Sequence, residues 1–156
     1  MKKMLLSGML LCFIVASGFS QIRDFDQLCD KYKHYEDVET VKMGRFGCFL
    51  ASLFVDGKDG VAGKFIKKSS SFRLLTCEGN TLKGLNKDVA EFISSNKLEE
   101  LMTVTEKESQ VKIYIQDKDK VIRQVFLSVA DKKDMVFIQV EGKFPLELIR
   151  DIVKEK

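Results

Sequence analysis

Residues 101–141 constrain the fold more than any other part of the chain. Val111, Ile113 and Ile115 alternate with Lys112, Tyr114 and Gln116, and Arg123, Val125, Leu127 and Val129 alternate with Ile122, Gln124, Phe126 and Ser128. A period of two over that length is the signature of a strand with two unlike faces. Leu101 to Glu106 reads as a strand before this pair and Met135 to Glu141 as one after it. The joins Glu106-Lys107-Glu108-Ser109, Asp117-Lys118-Asp119-Lys120 and Asp131-Lys132-Lys133-Asp134 are short and charged. Short polar joins leave no room for a crossover, so the segments must lie antiparallel as a four-stranded meander.

The remaining elements surround this sheet. Asp24 with Gln27 three residues on predicts a capped helix start, and Phe25, Leu28, Cys29 and Tyr32 fall on one helical face. Val38 to Met43 predicts a short strand. Phe46, Phe49, Leu50, Leu53 and Phe54 fit a short helix that turns Cys48 away from the apolar stripe, toward solvent. Residues 56–70, punctuated by Gly57, Gly60 and Gly63, read as the longest loop. Ser71 to Cys77 is the next strand, ended by a Gly79-Asn80 turn, and Asn86 is the expected cap of a helix through Ser95. Pro145 suits the first turn of a last helix whose Leu146, Ile149, Ile152 and Val153 form a stripe. The order predicts an α+β domain: a mostly antiparallel sheet ending in the meander, with helices layered on one face.

The N-terminus predicts export. Lys2 and Lys3 precede an apolar run from Met4 to about Ala16, and Gly18 and Ser20 supply the small residues that a signal peptidase reads. The run is shorter than the ~20 residues a membrane-spanning helix needs. Residues 1–20 are therefore expected to be a secretory signal cut after Ser20, leaving residues 21–156 as a single domain with no transmembrane span. Cutting there removes two lysines and no acid, so 26 basic and 23 acidic residues become 24 and 23. A net charge of +1 lacks the excess of a nucleic-acid binder. Lys64, Lys67, Lys68 and Arg73 come nearest to a basic patch, but they flank the glycine-rich loop and read as solvated. No nucleic-acid partner is expected.

Catalytic signatures are missing from the text of the chain. The single histidine, His34, sits in a charged stretch, and no H-E-x-x-H, P-loop or dinucleotide fingerprint occurs. Glu99-Glu100 point to opposite faces of a strand, and Asp117 and Asp119 belong to a hairpin turn, without the further ligands of a calcium loop. Cys29, Cys48 and Cys77 form no C-x-x-C pair, and they read as small buried apolar residues, although three choices of disulfide pair are open to an exported chain. No cofactor and no metal is expected. The aromatic residues say more. Of twelve Phe, Phe46, Phe49, Phe54 and Phe65 crowd near the long loop, as ordinary core filling or as a groove for an apolar or peptide ligand. Phe46, Phe49 and Phe65 are its candidate binding residues.

Leu98-Glu99-Glu100-Leu101-Met102-Thr103-Val104, Val111-Lys112-Ile113-Tyr114-Ile115 and the run Val136 to Lys143, together with Phe25-Asp26-Gln27-Leu28 and the strand from Phe72 to Cys77, resemble the family called domain of unknown function 4252. Its members are small exported proteins or lipoproteins of Bacteroidetes-type bacteria. The resemblance implies an envelope location and a domain without assigned activity, and it carries over no catalytic residue. The glycine-lysine loop and the lack of a lipobox around Cys12 set this chain apart. The sequence thus predicts a noncatalytic exported domain that binds a protein or another envelope component. A carrier of an apolar ligand and a thiol-dependent redox protein are the alternatives. Self-association through a sheet edge is open.

Overall fold

The computed structural model describes residues 23–54, 60–79 and 84–154. The expected signal over residues 1–20 lies outside them, as do residues 55–59 of the expected long loop and Asn80 of the expected turn. Among the described residues five helices, α1 (Phe25–Tyr32), α2 (Arg45–Phe54), α3 (Val61–Lys68), α4 (Leu85–Ser95) and α5 (Leu146–Lys154), accompany six strands: β1 (Val38–Met43), β2 (Ser69–Glu78), β3 (Glu99–Glu106), β4 (Ser109–Lys118), β5 (Val121–Ala130) and β6 (Asp134–Pro145). The strands form one antiparallel sheet in the order β1-β2-β6-β5-β4-β3. The meander is thus β3 to β6, and the N-terminal hairpin-like pair β1-β2 extends it beyond β6. β1 and β3 are the two edges. The Asp119-Lys120 join has positive φ at both residues, 56° and 64°, the backbone a two-residue hairpin requires.

The class is α+β as expected, but the helices divide between the two faces. α1 and α4 bury Phe25, Leu28, Cys29, Leu85, Val89 and Phe92 against Leu75, Cys77, Phe126 and Phe137. The rings of Phe25, Phe92 and Phe126 meet in tilted and edge contacts at 5.1–5.7 Å, a geometry worth about 0.5–1.5 kcal/mol per pair beyond burial. A second core gathers Val125 and Val140 with Phe144, Leu148 and Ile149, and Phe65 of α3 packs against it. Val125 adjoins Phe126 on β5, and successive strand residues point oppositely, so this core lies on the other face. Strands apolar on both sides leave two faces to cover, which one helical layer cannot do.

Local chemistry explains where the expected elements moved. Asp24 caps α1 by accepting from Asp26 N (3.1 Å), while Gln27 reaches past the cap to accept from Arg23 N (3.2 Å). Gly84, at φ +91°, precedes α4 in place of the expected Asn86. The expected loop contains α3: Gly60 accepts the first helical bond from Lys64 N, Gly63 is buried within the helix, and Lys67 and Lys68 complement the negative end of its dipole. Ser69 Oγ donates to Phe65 O (2.8 Å), so the helix passes directly into β2.

Candidate functional site

Every register irregularity of the sheet lies at one end, where β2 and β5 begin and β4 and β6 finish. Ser70 is the extra residue of β2 between the pairs Ser69–Gly142 and Ser71–Glu141. Arg123 is the extra residue of β5 between Gln116–Gln124 and Asp117–Ile122. Gly142 and Lys143 together face Arg123 between Gln124–Glu141 and Ile122–Phe144. The fourth shift, at Leu101, falls at the same end of β3. Bulges bend a strand and re-aim side chains, and they gather beside functional sites.

Here the bulged residues line a cavity of about 640 Å³. Its wall carries five cations, Arg45, Lys67, Lys68, Arg123 and Lys143, with the neutral polar Ser69, Ser70, Asn96, Gln116 and Gln124 between them. Glu141 is the one carboxylate of the lining, and it is already engaged. It accepts from Ser71 Oγ (3.1 Å) and Gln139 Nε2 (3.3 Å), and lies 3.6 Å from Arg73. Among the described residues none of the five cations belongs to an ion pair. Arg123 Nε is sealed from solvent without a hydrogen-bond partner.

A polar layer joins this cavity to the first core. Gln139 donates to Gln124 Oε1 (2.6 Å) and accepts from Arg73 Nη1 (3.2 Å), and Arg73 Nε donates to Asp26 Oδ1 (2.9 Å). Burial opposes ionisation of Asp26, but Lys42 and Arg73 outweigh it and hold its carboxyl below the usual range. Gln116 Nε2 donates to Asn96 O (2.7 Å), tying β4 to the end of α4. Ser69 and Ser70 spend their protons on the carbonyls of Phe65 and Glu141. What the wall offers is cationic donors interleaved with amides and hydroxyl oxygens, a composition suited to holding an anion.

The residues singled out in the sequence are scattered. Phe65 stacks on Phe144 with ring centroids 4.5 Å apart, as core filling. Phe46, at the start of α2, is 73% exposed. The side chain of Phe49 lies outside the described residues. Cys29, Cys48 and Cys77 are buried, as small apolar residues are, even though the helix spacing turned Cys48 away from its apolar stripe, and all three are free. Burial pushes the Cys29 thiol up to about 11 and raises the other two, which makes them poor nucleophiles. His34 is exposed. Of the cavity cations only Lys67 and Lys68 stood out in the sequence, as part of a loop. Arg45, Arg123 and Lys143 were missed, although Ile122 beside polar Gln124 on one strand phase already broke the alternation.

A six-stranded antiparallel sheet with helices on both faces and a polar cavity at its bulged end defines a small α+β domain. The family model of a domain of unknown function, DUF4252, matches residues 32–152, and the chain belongs to that family. The match begins at the last residue of α1 and takes in all six strands. No curated protein matches the chain.

Proposed function

We propose that this chain is a noncatalytic binding domain that works outside the cytosol, in the periplasm or cell envelope, and holds an anionic envelope component at the cationic cavity. One observation carries the reading: three register irregularities deliver Ser70, Arg123 and Lys143 to the same cavity. An arrangement that departs from regular pairing three times at one place is matched to a ligand better than to packing. The signal-like segment Lys2 to Ser20 supports the location. Photo-crosslinking in intact cells tests both parts. A crosslinking residue at position 143 is expected to trap a partner in the envelope fraction, and one at position 107, across the sheet, is not. Unprocessed protein in the cytosol, or equal trapping from both positions, contradicts the proposal.

A carrier of a small apolar ligand is the second reading, at a different place from Phe46, Phe49 and Phe65. A groove of about 310 Å³ between α4 and the sheet is lined by Val89, Ala90, Ile93, Tyr114, Met135 and Phe137, among others, near the lower size of small-molecule sites. Enhanced fluorescence of a bound naphthalene dye, lost in Ala90→Trp, would favour it.

A further inference from the structure

We infer that the ligand of the cationic cavity is an acidic saccharide: phosphate or carboxylate groups borne on a hydroxyl-rich frame. The inference rests on the cavity being the binding site and goes on to the chemistry of its occupant. Charge sets the first requirement. Five cations face one carboxylate, and that carboxylate is bound by Arg73, Ser71 and Gln139. Arg45, Lys67, Lys68 and Lys143 are exposed and screened by water and salt, but a multiply charged anion within reach of several of them is attracted by all at once. A metal cation is repelled by the same wall. Arg123 sharpens the requirement, because it lines the cavity and belongs to no ion pair among the described residues. Its Nε is sealed away, so an oxyanion in the cavity meets the rest of the planar fork, whose geometry suits phosphate or carboxylate.

The neutral wall sets the second requirement. Gln116 uses its Nε2 on Asn96 O, and Asn96 uses its Nδ2 on the carbonyls of Arg23 and Phe92. Among the described residues Gln116 Oε1 and Asn96 Oδ1 accept no hydrogen bond and are left to a ligand, beside one remaining proton on Gln116 Nε2. Gln124 receives Gln139 at its Oε1 and keeps its Nε2 as a donor. Two acceptors are of no use to a bare anion, which can only accept. They fit a ligand that also donates, and hydroxyl groups do both. A nucleic-acid backbone would call for a stripe of cations along a face, whereas these five gather around one open hollow.

Titration calorimetry of the purified full domain separates the two requirements with three probes. Fructose 1,6-bisphosphate carries charge and hydroxyls, pyrophosphate carries charge alone, and glucose carries hydroxyls alone. The bisphosphate is expected to bind about tenfold or more tighter than pyrophosphate, with no heat from glucose at millimolar concentration. Arg123→Gln is expected to weaken the bisphosphate by about tenfold or more and to keep the wild-type circular dichroism spectrum. Should that variant misfold, Lys143→Gln, on an exposed residue, reads the same loss. Pyrophosphate binding as tightly as the bisphosphate overturns the saccharide and leaves only an anion site. Silence from all three probes, with position 143 still crosslinking in cells, overturns this inference while the binding reading survives. Silence together with lost crosslinking overturns both.

Discussion

Gly142 lies so close beneath Lys68 that a Cβ on it would sit 2.5 Å from the Lys68 carbonyl oxygen and 2.6 Å from Phe144 Cζ. The end of α3 and the bulge of β6 touch through a missing side chain, and this contact sets two cavity lysines, Lys67 and Lys68, against Lys143. Gly142→Ala must push the helix end away or displace the Phe144 ring from its stack on Phe65. Overpacking of this kind costs about 1–3 kcal/mol. A lower urea midpoint is expected, together with weaker anion binding. Unchanged stability would show that the helix yields freely.

Asp88 ties α4 to α1. Its Oδ2 accepts from Tyr32 Oη at 2.5 Å and from Lys31 Nζ at 2.6 Å. Lys31 is half exposed, so its share is small, while Tyr32 is buried and would lose its only acceptor among the described residues. Asp88→Ala is expected to cost about 1–3 kcal/mol in urea unfolding, and Tyr32→Phe less, because it removes the donor along with the bond.

Acid should unfold the domain in a defined direction. For Asp88, burial is overcome by the bonds from Lys31 and Tyr32, and its carboxyl, like that of Asp26, sits below the usual range. The unfolded chain therefore binds more protons as pH falls. Stability from these groups is whole above about pH 4, where unfolded aspartates are ionised, and drains away as pH drops through the folded values. Asp88→Asn is expected to flatten the slope of melting temperature against pH between about 4 and 2. An unaltered slope would assign acid sensitivity elsewhere.

Phe65 and Phe46 should behave oppositely. Phe65→Ala empties a stacked site in the second core and is expected to cost about 2–4 kcal/mol, whereas Phe46→Ala, at a residue 73% exposed, should stay within about 0.5 kcal/mol. Thermal melts of the two variants check this directly.

The thiols should be silent in the native state. With all three buried and their pKa values raised, iodoacetamide at neutral pH is expected to label none of Cys29, Cys48 and Cys77 until denaturant is added, as read by intact mass. Rapid labelling of any one in native protein would revive a thiol chemistry.

The meander was legible in the sequence because its strands alternate and its joins are too short for anything but hairpins. β1 matches its expected bounds, and the stripe of α1 lies where Phe25, Leu28, Cys29 and Tyr32 placed it. α3 was hidden because Gly60 and Gly63 read as breakers, while in the fold one starts the helix and the other is buried inside it. The second helical layer was hidden because Val125 and Leu127 read as one face of a strand without showing what covers it. The cavity was least legible. Its cations come from segments as distant as Arg45 and Lys143: two helices bring Arg45, Lys67 and Lys68, and bulges bring Arg123 and Lys143 from positions that period-two reasoning takes as regular.

The edge strand β3 is exposed along nearly its whole length and carries Glu99, Glu100 and Glu106 at its two ends. If two copies met edge to edge about the strand centre, Glu99 of each would confront Glu106 of the other, and like charges directly opposite disfavour such a ladder. The same acids would welcome an extended segment rich in lysine or arginine. The molecule therefore carries an acidic edge that discourages its own polymerisation, and that edge starts beside the cation-rich cavity.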